Sequence, residues 1–410
     1  MRRAWVGAFG ALFVCSWAGN QFSPLLLMYQ NARGYSTLTV NAFLGVYVLG
    51  LAPTLVLAGT LSNRFGRRAV MGAGVLLAVL ASAVLSLGAL GTAPIYVGRL
   101  LSGMAVGTGT AVGTTWIKEL SQGTHDPSAD PGAGARRAAV AFSLGSGLGA
   151  LVAGSLAQWG PWPEVLPFLL HLGVTVPFLA IVARIPETSG GTGIPLRGQL
   201  WPHSFSHRRF LLVVLVTAPW IFGVAALAYG YTPVLLKSET HGLGIAYATL
   251  LTVVALGIAA AVQPVAKRLD SVSSARGITV AVVVLIVSVA SIGVAVQTAS
   301  PWLGVAAAAL SGVGIGTALS TGLLEVQRIA GPAELAGLTG VFYAAGYVGF
   351  LLPAAMAAMT PLVTVAQLFA ALVVLGSVST AVVLANYRRH LPEALRTGVP
   401  ILPAPATNRP

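Results

Sequence analysis

The sequence predicts an all-α integral membrane protein. Twelve transmembrane helices are expected, in two pseudo-symmetric halves of six, with both termini cytoplasmic. Three observations lead there. Hydrophobic residues make up 56% of the 410 and charged residues only 8%, against about 25% charged in soluble domains. Such a chain cannot cover a water-facing surface. Twelve apolar runs follow one another, each close to the roughly 20 residues that cross a bilayer. Finally, the basic residues fall almost entirely on alternate loops.

The runs lie near residues 4–28, 39–62, 68–91, 93–119, 137–160, 164–184, 210–236, 243–267, 276–298, 301–327, 334–358 and 361–387. The first follows Met1-Arg2-Arg3-Ala4-Trp5, which looks like the start of a signal peptide. Its apolar sequence continues to Met28 without a small-residue cleavage pattern, so it is read as a retained span. Prolines at 94, 161, 163, 301 and 361 mark tight outer turns. Arg2, Arg3, Arg64, Arg67, Arg68, Lys118, Arg136, Arg137, Arg184, Arg197, Arg208, Arg209, Lys267, Arg268, Arg276, Arg328, Arg388 and Arg389 share one side; the other holds Arg33 and Lys237. Positive residues mark the cytoplasmic side. The expected organisation is a first half over 1–184, a cytoplasmic linker over 185–209, a second half over 210–390 and a disordered tail over 391–410. His203 and His207 stand four apart in the linker, but no third ligand accompanies them, so no metal site is expected.

The loop after the second run reads Gly59-Thr-Leu-Ser-Asn63-Arg64-Phe-Gly66-Arg67-Arg68. Three arginines cannot stay in hydrocarbon, and the glycines permit a tight turn between two helices. The stretch resembles the G-x-x-x-D-R-x-G-R-R signature of the major facilitator superfamily, with Asn63 at the aspartate position, and the chain looks like a bacterial drug/proton antiporter of that family. Arg99-Leu-Leu-Ser-Gly103, followed by Gly107, resembles the family's R-x-x-x-G-x-x-x-G motif. Gly145, Gly149 and Gly154 partly match the antiporter motif, with Ala150 where the motif has proline; a glycine face packing against the eleventh span explains them equally well. The halves repeat weakly. Ser102-Gly103 and Gly107-Thr108 match Ser311-Gly312 and Gly316-Thr317, while Phe142 and Gly149 match Phe342 and Gly349. Such repeats accompany a site between the halves.

Arg99 is the most informative residue, because a charge inside a span is by default functional. Its expected partners are Asn20 and Gln21; the alternatives are a structural clamp or snorkelling to the interface. By the resemblance, the first, fourth, seventh and tenth spans line a cavity, offering Trp17, Asn20, Gln21, Trp116, Trp220, Tyr229, Tyr231, Thr317, Thr321 and Glu325. No acid lies near the middle of a span. Glu325 is the candidate proton carrier, although Arg328 three residues on is a ready partner; Glu119 and His171 are the reserves.

The expected activity is secondary transport of a small amphipathic or drug-like solute, as proton-coupled efflux by alternating access. A sugar, metabolite or nutrient importer is the alternative, and Pro186-Glu187-Thr188 faintly resembles a sugar-porter loop. A membrane-bound enzyme or receptor is a distant third, since no cluster of catalytic groups is visible. The partners are a small solute, protons or another ion, and the lipid bilayer. No cofactor is expected, nor a nucleotide-binding loop. The net charge of +13 is scattered over short loops without a patch for nucleic acid. A monomer is expected.

Overall fold

The computed structural model describes residues 4–130, 132–189, 203–271, 273–330 and 334–391. Most of the expected linker and nearly all of the expected tail lie outside the described residues. Helices form the whole described fold, with no strand among the described residues.

Ten helices are each long and apolar enough to cross a membrane. The remaining two spans, the first and fourth, are interrupted. The first runs over Trp5–Asn20 and resumes as Leu25–Arg33. The fourth runs over Thr92–Thr108, widens into a π-helical turn over Gly109–Gly113 and finishes as Thr114–Glu119. The second, third, fifth and sixth are Thr37–Phe65, Arg67–Leu85, Ala133–Trp159 and Leu166–Ala183. In the second half come Phe210–Leu235, Gly244–Leu269, Arg276–Gln297, Pro301–Ile329, Gly337–Met359 and Val365–Ala385. Twelve spans result.

Pro24 explains the break in the first span. It has no N–H for the Asn20 carbonyl, which takes the Ser23 N–H instead (3.2 Å). The Gly19 carbonyl thereby loses its own helical donor. The seventh span is distorted for a similar reason: Pro233 follows a π-helical turn over Ala226–Tyr231, where the Thr232 hydroxyl donates to the Leu227 carbonyl (2.8 Å).

Small residues set the helix contacts, as expected where apolar burial alone does not drive association. A Cβ added at Gly103 would sit 2.0 Å from the Tyr47 carbonyl oxygen, and one at Gly107 would sit 2.9 Å from that of Leu51. The repeat is visible in space: Gly312 and Gly316 of the tenth span meet the Ala255 and Ala259 carbonyls of the eighth in the same way. On the fifth span, Gly145 and Gly149 lie against Phe13 and Trp17, and Gly154 against Thr249. The fifth span therefore packs on the first and eighth spans, not on the eleventh as the sequence suggested.

One apolar core joins the halves, bringing Tyr47, Leu51 and Val106 against residues of the seventh, eighth and eleventh spans. A second lies inside the first half around Leu12, Met71 and Trp116.

Candidate functional site

Arg99 enters the protein interior from the fourth span and is 1% exposed. Snorkelling is thus excluded. Its Nη1 donates to the Gly19 carbonyl (3.1 Å) and its Nε to the Phe43 carbonyl (3.3 Å). Phe22 covers one side, 4.6 Å from Cζ to ring centre, and Tyr47 covers another at 4.3 Å. The carbonyl freed by Pro24 is the one that Arg99 takes. Two carbonyl dipoles and two aromatic faces thus compensate a buried charge in place of a carboxylate.

Asn20 and Gln21 are not its partners. Asn20 donates to Ser146 (3.0 Å), and Gln21 donates to Ser82 (3.2 Å). Ser82 also meets His171 Nδ1 (2.7 Å), while His171 Nε2 meets the Val14 carbonyl (2.9 Å) and Thr175 (3.1 Å). Since a carbonyl only accepts, Nε2 must carry a hydrogen, and Ser82 then donates to Nδ1. This arrangement satisfies a neutral imidazole and locks it among the first, third and sixth spans.

Several expected cavity residues are occupied in packing within one half. Trp116 is fully buried beneath the segment after the sixth span and donates to the Pro186 carbonyl (3.2 Å). Trp220 donates to Ser379 of the twelfth span (3.1 Å). Trp17 lies against Gly149 and His171. Thr321 packs on Gly277 of the ninth span, and Thr317 bonds its own helix at the Val313 carbonyl (2.7 Å). The apolar bodies of these residues suit helix–helix contacts as well as a cavity, and only the fold separates the two uses.

Between the halves stands an aromatic wall that the sequence reading missed. Phe222 stacks on Tyr347 with ring centres 3.9 Å apart and planes 8° apart, and Phe350 lies nearly parallel to both. Tyr47 meets Tyr347 and Phe350 edge-on at 6.5 and 6.2 Å. The ring that covers Arg99 is therefore also a contact between the halves. On the outer side, Gln158 clasps the second half, donating to the Gly242 carbonyl (3.1 Å) and accepting from the Ala246 amide (3.0 Å).

Each half carries a polar cluster at its cytoplasmic end. In the first, Arg67 reaches Glu119 (3.0 Å), Asn63 (2.7 Å) and Ser62 (2.5 Å). The Glu187 carboxylate caps the third span at the amides of Arg67 (2.8 Å) and Arg68 (2.9 Å). Partial burial acts to raise the Glu187 pKa, but bonds from the amides of Arg68, Ser189, Arg67 and Thr188 outweigh it and hold the group below its ordinary value. Gly66 leaves the second span at φ 92°, and a Cβ there would lie 2.5 Å from the Glu187 carboxylate. Arg64 is exposed, and the carbonyl of Gly59 accepts from Ser62 (2.8 Å). In the second half, Glu325 is 2% exposed. Arg209 grips it through Nε and Nη2, both at 2.8 Å, and Arg328 adds a contact at 3.2 Å while also pairing with Asp270. The expected Glu325–Arg328 pair is present, but Arg209 is the stronger partner. No spacing rule links residues 116 apart, so only the fold reveals that bidentate pair.

The repeated halves, the paired cytoplasmic clusters and the interrupted spans agree with the sequence comparison. The family model described as Major Facilitator Superfamily matches residues 8–354. The chain belongs to the Major Facilitator Superfamily. A comparison with curated proteins finds no match. Among solved structures, the crystal structure of a D-xylose-proton symporter shares the fold, with a TM-score of 0.67 over 93% of this chain and 95% of that one, at 17% identity. The protein is thus a multi-pass membrane transporter with the superfamily's twelve-helix architecture.

Proposed function

We propose that this superfamily member exports a small amphipathic solute by alternating access between its halves. The observation that carries this reading is the aromatic wall of Tyr47, Phe222, Tyr347 and Phe350, which offers flat apolar surface between the halves. Binding sites for amphipathic molecules combine such walls with a few polar groups. The Gln158 clasp and the contact of Gly230 with Leu44 fit a state closed towards the outside.

Proton coupling is assigned to Glu325, the most buried acid on a span that the superfamily resemblance places at the cavity. In this reading, Arg209 and Arg328 withdraw from its oxygens during the cycle, and the proton takes their place. Sugar import is the second reading, favoured by the fold shared with the D-xylose-proton symporter.

Proteoliposomes holding the purified protein test both. Export predicts that an imposed pH gradient drives accumulation of amphipathic probes against the proton flow. Accumulation of a pentose with the proton flow would establish sugar symport instead. No flux of any solute under any gradient would overturn transport by this chain.

A further inference from the structure

Four tyrosines converge where the halves meet. Tyr47 comes from the second span, Tyr229 from the seventh, and Tyr343 and Tyr347 from successive turns of the eleventh. Tyr47 and Tyr347 meet edge-on at 6.5 Å, Tyr343 stands four residues before Tyr347 on the same helix face, and Tyr229 packs in the same core as all three. Tyr47, Tyr229 and Tyr347 are 4%, 3% and 4% exposed. Tyr247, elsewhere in the second half, donates to the Pro301 carbonyl (2.9 Å). The hydroxyls of the other four make no hydrogen bond among the described residues. The rings of Tyr47, Tyr229 and Tyr347 are covered, but none of the four hydroxyls is sealed off from a small molecule, and several unpartnered donors in one place suit a ligand that satisfies them.

We infer that Tyr47, Tyr229, Tyr343 and Tyr347 form a hydroxyl-bearing aromatic slot that takes an uncharged, flat solute carrying hydrogen-bond-accepting oxygens. This rests on the transport reading above and names its substrate class.

Charge decides against ionic solutes. The second, seventh and eleventh spans contain no aspartate or glutamate, so a cation would rest on ring faces alone, without the carbonyl acceptors that accompany the rings around Arg99. Arg99 stands behind Tyr47, but Phe22 and Tyr47 cover it and two carbonyls hold its Nε and Nη1. An anion would therefore have to displace contacts already made. Sugars need dense bonding from amides and carboxylates, and the seventh and eleventh spans supply neither type of side chain. A phenol donates well to a carbonyl or ether oxygen, and the stacked rings accept a flat body between offset faces.

The test uses 7-methoxycoumarin, which is neutral, flat and fluorescent. Naphthalene serves as the match without oxygens, coumarin-3-carboxylate and a trimethylammonium coumarin as the charged matches, and D-xylose as the sugar. Binding is measured on the purified protein in nanodiscs, separately from flux in proteoliposomes. The neutral coumarin should bind most tightly. Tyr47→Phe, Tyr229→Phe and Tyr347→Phe keep their rings, and each should weaken binding roughly 3–10-fold, as for loss of one hydrogen bond. The triple variant should bind the coumarin no better than naphthalene. Unchanged coumarin binding in the triple variant, tighter binding of a charged analogue or of D-xylose, or no binding of 7-methoxycoumarin by the unmodified protein would each overturn the slot. Hydroxyl-dependent binding without flux would leave the slot standing and refute transport. Flux of a charged solute, unaffected by the phenylalanine variants, would do the reverse.

Discussion

Replacing Arg99 by alanine isolates the central interaction of the first half. Two hydrogen bonds from a charged donor are worth about 1.5–3 kcal/mol each, and two cation–π contacts about 0.5–2 kcal/mol each. The gross interaction is thus about 4–10 kcal/mol, set against a desolvation cost of several kcal/mol for the guanidinium. Arg99→Ala removes both sides of that balance and leaves the Gly19 carbonyl without a donor, which itself costs about 1–3 kcal/mol. With the space left beside Phe22 and Tyr47, the folded protein should lose about 2–4 kcal/mol. Membrane insertion should be as good or better, because an arginine within a span is unfavourable by up to about 3.5 kcal/mol on the insertion scale. Transport should fall severely, since Tyr47 loses the cation that holds its ring at the contact between the halves. Arg99→Lys should rescue poorly: an ammonium lacks the flat fork that reaches two carbonyls while stacking on two rings. Insertion, thermal unfolding in detergent and proteoliposome flux are the assays. Normal unfolding and flux in Arg99→Ala would refute the reasoning, and full rescue by lysine would refute the role of the fork.

The remaining predictions concern the cytoplasmic clusters and the topology. Glu325→Gln should lower the unfolding temperature, because it strips the carboxylate from a buried Arg209, a loss of about 3–5 kcal/mol for a broken buried pair; it should also abolish uphill, pH-driven transport while sparing downhill exchange, and retained uphill transport would remove Glu325 as proton carrier. Asn63 now gives Arg67 a neutral acceptor, so Asn63→Asp should tighten the loop by about 0.2–1 kcal/mol and reduce labelling of cytoplasmic-side cysteine probes; identical labelling would count against it. The pKa of Glu187 is lowered by folding, so its contribution is fully present above the unfolded-state value of about 4.3 and is lost as pH falls through the lower folded value. Glu187→Gln should therefore loosen the start of the third span in hydrogen exchange at neutral pH, with the difference from the unmodified protein shrinking in acid; a constant difference would contradict the capping role. Reporters active only in the cytoplasm should work when fused after Arg68, Arg137 or Arg389 and fail after Arg33 or Lys237, and the reverse at Arg33 or Arg68 would invert the topology.

The fold was legible because bilayer thickness and arginine placement are one-dimensional constraints, written directly along the chain. Span breaks were less legible, since Pro24 lies inside a long apolar run that reads as one continuous span. The site was much less legible. Arg99 stood out as a charge in an apolar span, but its acceptors are main-chain carbonyls, which no side-chain pattern announces. Trp116 and Trp220 are chemically suited to a cavity and are used elsewhere. Tyr47 and Tyr347 lie on the second and eleventh spans, outside the set that the resemblance placed around the cavity. Their convergence depends on glycine contacts such as Gly103 on Tyr47, which fix how closely helices approach.

The carbonyl that links Pro24 to Arg99 has an evolutionary consequence. If Pro24 were replaced by a good helix former, the first span could run on and the Ser23 amide could return to the Gly19 carbonyl. Arg99 would then share its acceptor with an amide, without any change in its own helix. If Arg99 were lost first, the proline would leave that carbonyl bare. Each residue raises the cost of replacing the other, although 75 positions separate them. A lineage would then tend to keep both or exchange both, and single intermediates would be the least fit. Such a pair is a ratchet on sequence drift: it holds an interrupted first span in place because neither half of the arrangement can be undone alone.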